Sequence, residues 1–281
     1  MTLPAAENGS IECRDLSYRY PGASVDALHS IDLTFEQGRL YSLLGRNGSG
    51  KSTLAMCLSG LLLPSRGSVT SVGYDTRDES GEDDTDIRGR LGIVFQDPDT
   101  QMVAMSVEEE VAFGPENLGL KRDTIRSRVE SVLDRVGIEE LRTRQPLRLS
   151  QGQKQLTAIA GALAMEPSFL ISDESTSMLD HASRSRIVEL FKGLRDEGMG
   201  VIHVTHFIGE AVGADHVVVL DAGRVALQGP PAEVLSDPER LVALGLEPLP
   251  VTSVAAELKR RGFEVPAGIL HGKELLAWLR G

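Results

Sequence analysis

Apolar positions along the chain fall into two alternating kinds of segment. "RLYSLLG" (39–45), "LGIVFQ" (91–96), "FLISDE" (169–174) and "GVIHVTH" (200–206) are short, nearly continuous apolar runs, the pattern of buried strands. "STLAMCLSGLL" (52–62), "IRSRVESVLDRVGIEEL" (125–141) and "SRSRIVELFKGLRDEG" (183–198) repeat apolar residues at helical spacing, and residues 106–148 are helical in pattern throughout. Strands alternating with helices predict a mainly parallel sheet covered on both faces, an α/β fold. Before position 42 the chain reads as short strands with turns at "YPGA" (20–23) and "EQGR" (36–39). "HVVVLDAGRVALQG" (216–229) predicts a hairpin turning at "DAG". The tail, 236–281, reads as two short helices joined around Pro266. No internal repeat is evident.

Composition narrows the function classes. The chain has 281 residues, 41% hydrophobic and 25% charged, with a net charge of −12. That charge argues against neutralising nucleic-acid phosphates as the main task. Cys13 and Cys57 fit neither a disulfide framework nor a zinc site, and read as small core side chains of a reducing compartment. The start "MTLPAAENGSIEC" lacks the features of a signal peptide, and no apolar run is long enough to span a bilayer. "DTRDESGEDDTD" (75–86) reads as an exposed acidic loop rather than a metal site.

The chemistry concentrates in "GRNGSGKST" (45–53), which fits G-x-x-x-x-G-K-[ST] with a strand before it and a helix after it. Gly45, Gly48 and Gly50 let the loop turn its backbone N–H groups around phosphate oxygens. Arg46, Asn47, Ser49 and Thr53 complete the loop, and the following helix N-terminus adds partial positive charge. Lys51 brings a full charge to the β- and γ-phosphates, and the Ser52 hydroxyl can ligate Mg²⁺. At the end of "LISDE", Asp173 would hold the Mg²⁺ shell and Glu174 would orient or deprotonate the attacking water. Gln96, ending a strand, could ligate Mg²⁺ or place water. Ile202, His203 and Val204 look structural beside His206.

A second polar loop, "LSQGQKQ" (149–155), opens the helical run "KQLTAIAGALA". The order P-loop, Gln96, "LSQGQ", "DE", "SMLD" (177–180), His206 resembles the nucleotide-binding subunit of ABC transporters over nearly the whole chain from Ile11 to Leu235. That resemblance implies a P-loop NTPase with a RecA-like, mainly parallel sheet, an antiparallel β subdomain and an ABC α-helical subdomain at about 99–160. It implies an ATP-hydrolysing cassette over 1–235 and a small helical extension over 236–281. Tyr20 would stack on adenine, Gln96 form the Q-loop, Asp180 sense the opposite site and His206 meet the γ-phosphate. Ser150, Gly152 and Gln153 would reach the ATP of a second subunit, head to tail. Two departures stand out: Gln151 where the family usually has glycine, and Leu156 where arginine is frequent.

A narrower resemblance rests on "FQDPDTQMVAMSVEEEVAFGPENLGL" (95–120), "DESTSMLD" (173–180) and "LVALGLEPLPVTSVAAELKRRGF" (241–263). These look like the ATPase (A component) of energy-coupling factor transporters, importers of vitamins and of cobalt or nickel ions. The resemblance implies a second ABC ATPase as homo- or heterodimer partner. It also implies a transmembrane T component docking near Gln96–Gln101, a substrate-binding S component, and a peripheral place on the cytoplasmic face of the membrane. DNA-repair ABC ATPases would need long coiled coils between the two halves of the site. Translation-associated ABC proteins would need two cassettes, and P-loop metabolic kinases lack "LSxGQ". Met56, Cys57 and Trp278 read as packing residues, and Lys259–Arg261 as a solvated helix face.

Overall fold

The computed structural model describes residues 9–76 and 89–280. From residue 77 onward the acidic run 75–86 lies outside the described residues. The first strands, β1 (Ser10–Tyr18) and β2 (Leu28–Glu36), pair antiparallel, Ile11 opposite Phe35. β3 (Leu40–Gly45) runs through the glycine loop into α1 (Lys51–Leu58). β4 (Arg66–Ser71) and β5 (Tyr74–Asp75) complete a four-stranded antiparallel sheet of order β2-β1-β4-β5. After β6 (Leu91–Val94) come α2 (Val107–Asn117), α3 (Arg122–Val136) and α4 (Gln151–Leu163). β7 (Phe169–Asp173), α5 (His181–Asp196), β8 (Gly200–Val204), α6 (Ile208–Ala211), β9 (His216–Asp221) and β10 (Arg224–Gly229) follow. The chain ends in α7 (Pro231–Val234), α8 (Pro238–Ala243), α9 (Pro250–Arg260) and α10 (Gly272–Arg280).

The second sheet has the order β10-β9-β3-β8-β7-β6, parallel throughout except for the β9–β10 hairpin. Its apolar runs are continuous because both faces are buried. Leu40, Leu44, Leu170, Val201 and Val217 belong to one core, while Tyr41, Leu43, Ile171, Ile202 and Val218 belong to the other. Successive side chains on a strand point to opposite faces, so a strand that serves two cores is apolar at most positions, with Ser42, Ser172 and His203 the buried polar exceptions on β3, β7 and β8. Trimming a fully buried residue such as Leu44 to alanine would cost about 2–5 kcal/mol.

The helices α2 to α4 pack on the first core through Val107 and Val111, Val129 and Leu133, and Leu156 and Ile159, spacings that line one helix face. The uninterrupted helical pattern expected over 106–148 is broken. Gly119, at φ +69, ends the first helix and Gly137, at φ +65, ends the second, and only 3₁₀ turns at Glu139–Leu141 and Pro146–Arg148 follow. Likewise α1 stops at Leu58, ahead of Gly60 in the left-handed region, rather than running to Leu62. The tail over 236–281 holds three helices instead of two. α8 is capped by Asp237, whose side chain accepts from the Arg240 N–H at 3.0 Å, and has Pro238 at its first turn. Six residues are too few to show a period in the sequence. α9 and α10 close on a small cluster of Ala255, Val265, Ile269 and Leu275, with Trp278 packed against it as expected. Arg260 and Arg261 stay exposed and pair with Glu257.

Candidate functional site: a phosphate cradle and a second polar loop

Parallel register explains why distant motifs meet. Leu43 pairs with Val204, Val204 with Asp173, and Ser172 with Val94. The carboxyl ends of β3, β8, β7 and β6 therefore share one edge of the sheet, the edge where α/β sheets bind ligands. Gly45, Glu174, His206 and Gln96 each lie at or just past one of those ends.

The cradle is shaped by backbone that only glycine fits. A Cβ on Gly45 would lie 2.4 Å from Ser49 Oγ, and one on Gly50 would lie 2.9 Å from the Ala27 carbonyl oxygen. Gly50, at φ +103, is the residue from which α1 starts, so the first N–H groups of that helix face the loop. Lys51 is 4% exposed and folds over the loop, donating to the Gly45 carbonyl at 2.9 Å and the Arg46 carbonyl at 3.2 Å. Its ammonium also lies 3.2 Å from Glu174 Oε1. Tyr20, Asn47, Gly48, Lys51, Ser52, Thr53, Gln96 and Glu174 line one groove of about 440 Å³. Tyr20 is 40% exposed, its ring edge-to-face with Tyr18 at 4.9 Å and its hydroxyl 3.0 Å from Thr53 Oγ1. A polar tip fixed on the cradle and a partly exposed ring suit an aromatic base.

Asp173 and Glu174 stand side by side with different surroundings. Asp173 accepts from the Ser52 hydroxyl at 3.1 Å and is 7% exposed. Burial raises its pKa above the ordinary carboxylate value and the Glu174 charge adds to this, while the Ser52 hydrogen bond and Lys51 oppose it. A neutral hydroxyl, a buried carboxylate and the Gln96 amide form a hard, oxygen-rich donor set that suits Mg²⁺ shared with phosphates. No group of three or more His, Cys, Asp or Glu side chains placed to hold a metal occurs among the described residues.

Glu174 adopts φ +49, a conformation costly for a non-glycine residue and common where backbone aims a functional group. His206 Nδ1 lies 3.5 Å from Glu174 Oε2. Ser49 Oγ and His206 Nδ1 are both buried without a hydrogen-bond partner among the described residues. The unpaired Ser49 hydroxyl in the loop is a group a phosphate oxygen would satisfy.

Ser150, Gly152, Gln153 and Asp180 form a second group, elsewhere. Ser150 caps α4 in a capping box: its hydroxyl accepts from the Gln153 N–H at 3.3 Å, and Gln153 Oε1 accepts from the Ser150 N–H at 3.0 Å. Gly152 faces Ser183, which donates to Asp180 at 2.7 Å. Among the described residues no hydrogen bond or ion pair joins these four residues to the cradle, and none of them lines its groove. Leu156 is 4% exposed and fills the core under α4.

Sequence reading missed how Gln96 is held. The Phe95 N–H donates to Gln101 Oε1 at 2.9 Å, and Gln155 Nε2 of α4 donates to the Phe95 carbonyl at 3.2 Å. Lys154 pairs with Asp99 at 2.6 Å, and Gln96 Nε2 donates to the Ser177 hydroxyl at 3.1 Å. "FQDPDTQ" carries a signal in its second glutamine; Gln155 on a helix carries none. Cys57 is buried as expected, its thiol pushed up to about 12 by burial, and Cys13 is raised further still, so neither is reactive.

The cradle at a parallel sheet edge, with a second polar loop on a separate helical layer, is the layout of an ABC-type P-loop ATPase. A family model described as "ABC transporter" matches residues 28–177. An energy-coupling factor transporter ATP-binding protein EcfA1 of Symbiobacterium thermophilum is 46% identical over 277 residues, 96% of each chain. The protein of the same name from Clostridium novyi is 44% identical over 95% of this chain and 96% of its own. The solved structure of cbiO1 from Clostridium perfringens, described as part of the ABC transporter complex cbiONQ, superposes with a TM-score of 0.76 at 38% identity. It covers 91% of this chain and 98% of that one. A dimeric post-hydrolysis cassette, MJ0796 bound to ADP and Pi, gives 0.72 at 28% identity over 79% of this chain and 98% of that one. The chain belongs to the ABC transporter family, among its energy-coupling factor ATP-binding proteins.

Proposed function

We propose that this chain is the ATP-hydrolysing subunit of an energy-coupling factor importer, taking up a vitamin or a transition-metal ion. In this reading the cassette occupies 1–235 and 236–281 is an appended helical element. Tyr20 stacks on adenine, and the loop 45–53 cradles the phosphates with Lys51 on the β- and γ-oxygens. Ser52, Asp173 and Gln96 would hold Mg²⁺, which when bound neutralises phosphate charge. Glu174 orients or deprotonates water and His206 meets the γ-phosphate. Catalysis is then positioning plus charge neutralisation.

The observation that carries the reading is the separation of the two polar groups. Ser150, Gly152 and Gln153 lie exposed or half-buried at a helix N-terminus, away from their own chain's cradle. A head-to-tail pair of chains would give each cradle the missing loop, and ATP would join them. That a relative is dimeric when bound to ADP and Pi supports a paired state of the cassette. No helix among the described residues is long and apolar enough to cross a membrane. A place on the cytoplasmic face would therefore come through T- and S-type membrane partners. Affinity purification from gently solubilised native membranes, with mass spectrometry, tests this. A T-type and a small S-type membrane protein should accompany the chain, the S protein naming the substrate. A second ATPase would mean a heterodimer, and recovery with soluble proteins alone would defeat the transport reading.

A further inference from the structure

Glu210 has no part in the site described above, yet it stands behind three of its segments. It lies in α6, and its carboxylate is 6% exposed. Three donors converge on Oε2: His203 Nε2 at 2.8 Å, the Thr205 hydroxyl at 2.6 Å and the Thr176 hydroxyl at 3.0 Å. A buried carboxylate is costly unless charge-assisted hydrogen bonds replace its water. Burial pushes Glu210 up, but the hydrogen bonds and charge from His203, with the bonds from Thr205 and Thr176, hold it below the ordinary carboxylate value.

The donors come from segments that carry other groups. Thr176 lies two residues past Glu174, and Thr205 directly precedes His206. The Thr205 hydroxyl also accepts from the Phe207 N–H at 3.1 Å, so the group that binds Glu210 clasps the backbone on both sides of His206. On the other side Arg184 Nε approaches Glu210 Oε1 at 3.4 Å. Arg184 Nη2 donates to the Leu179 carbonyl at 3.2 Å, one residue before Asp180. Its guanidinium lies 3.6 Å from the centre of the Phe207 ring, which in turn lies 4.0 Å from the His206 imidazole.

We infer that Glu210 is a positioning residue that locks the Glu174 loop, the His206 segment and, through Arg184, the Asp180 loop into one fixed relation. The inference rests on the reading of Glu174 and His206 as hydrolysis groups. A role confined to satisfying His203 in the core predicts a loss of stability alone. Positioning predicts a split between turnover and binding, because misplacing a reacting group by a fraction of its reach costs rate without touching the cradle.

The test is steady-state MgATP hydrolysis by the full chain, with Glu210→Gln, Thr205→Val, Thr205→Ser and Glu174→Gln measured side by side. Glu210→Gln and Thr205→Val should lower kcat about 10- to 100-fold with KM for ATP within about twofold, and Thr205→Ser should keep the wild-type rate. Wild-type kcat in a folded Glu210→Gln, or in Thr205→Val, would overturn the inference. So would equal losses in Thr205→Val and Thr205→Ser, since the hydroxyl would then not be the cause. Should Glu210→Gln fail to fold, the Thr205 pair decides alone. Undiminished turnover in Glu174→Gln would instead remove the hydrolysis reading beneath it, whereas an inactive Glu174→Gln beside a fully active Glu210→Gln sinks only the role of Glu210.

Discussion

The cradle and the second polar loop at Ser150 are both helix N-termini with polar residues around them, yet they are built for opposite relations to the rest of the chain. Around the cradle every element converges: four strand ends, a lysine drawn onto two carbonyls and a carboxylate, and a strained glutamate beside it. At Ser150 the capping box satisfies the helix end from within, and the remaining surface faces outward. One region gathers its polar groups from several elements of a single chain. The other has no hydrogen bond or ion pair to that cradle among the described residues, and on the proposed function it is a half-site completed by a second copy or a sister subunit.

The sharpest way to break that contrast is Glu174→Gln. The change keeps the size of the side chain and removes the base. On the proposed roles turnover falls by about 10²–10⁴-fold, the range of general-base contributions, while ATP binding survives. The ATP-bound pair should then persist, visible as a dimer in size-exclusion chromatography with MgATP. Normal hydrolysis would take Glu174 out of its role.

Ser150→Arg probes the other region. An arginine at the α4 cap adds bulk and charge to the outward face and removes the capping hydroxyl, at a cost of about 1 kcal/mol to the helix. ATP affinity measured on the isolated chain should be unchanged, since among the described residues no hydrogen bond or ion pair joins Ser150 to its own cradle and Ser150 does not line the groove. Dimerisation on ATP should fail, with hydrolysis down about 100-fold for want of a donor at the γ-phosphate. A variant that still dimerises on ATP would mean that this loop is not at an interface. Lys51→Ala gives the complementary result: loss of charge-assisted contacts lowers ATP affinity about 10- to 100-fold, read by titration calorimetry. Unchanged affinity would count against the cradle.

The same contrast explains what could be read from sequence. The P-loop is local: strand, glycines, lysine and helix lie within twenty residues, and each type has one physical reason to be there. The strand ends carrying Gln96, Asp173 and His206 were legible because buried parallel strands are continuous apolar runs, and their last polar residue marks the edge. The clamp on Gln96 was not legible, since Gln155 is an ordinary helix residue until α4 folds against β6. Nor was Glu210. In "FIGEAV" it reads as a surface acid on a short helix, and only the folded chain brings Thr176 and Thr205 to it. The breaks at Gly119 and Gly137 were visible as residues, but helical periodicity on either side overrode them.

The smallest expected effect sharpens the difference between the two acids of the cradle. Asp173 has its pKa raised in the fold, chiefly by burial. A carboxyl raised above its unfolded value lowers stability when ionised, and the cost fades as pH falls through the folded pKa. Asp173→Asn should therefore melt higher than the parent chain at pH 7.5 without nucleotide. The gap should close on acidification. With Mg²⁺ and ATP the order should invert, because ligand binding stabilises the parent chain and the variant has lost a group that holds the metal. Thermal melts across pH, with and without MgATP, read both halves. An asparagine variant that melts lower at every pH would mean that the Ser52–Asp173 bond stabilises the fold by more than the buried charge costs, and that Asp173 is held in place for structure as much as for the metal.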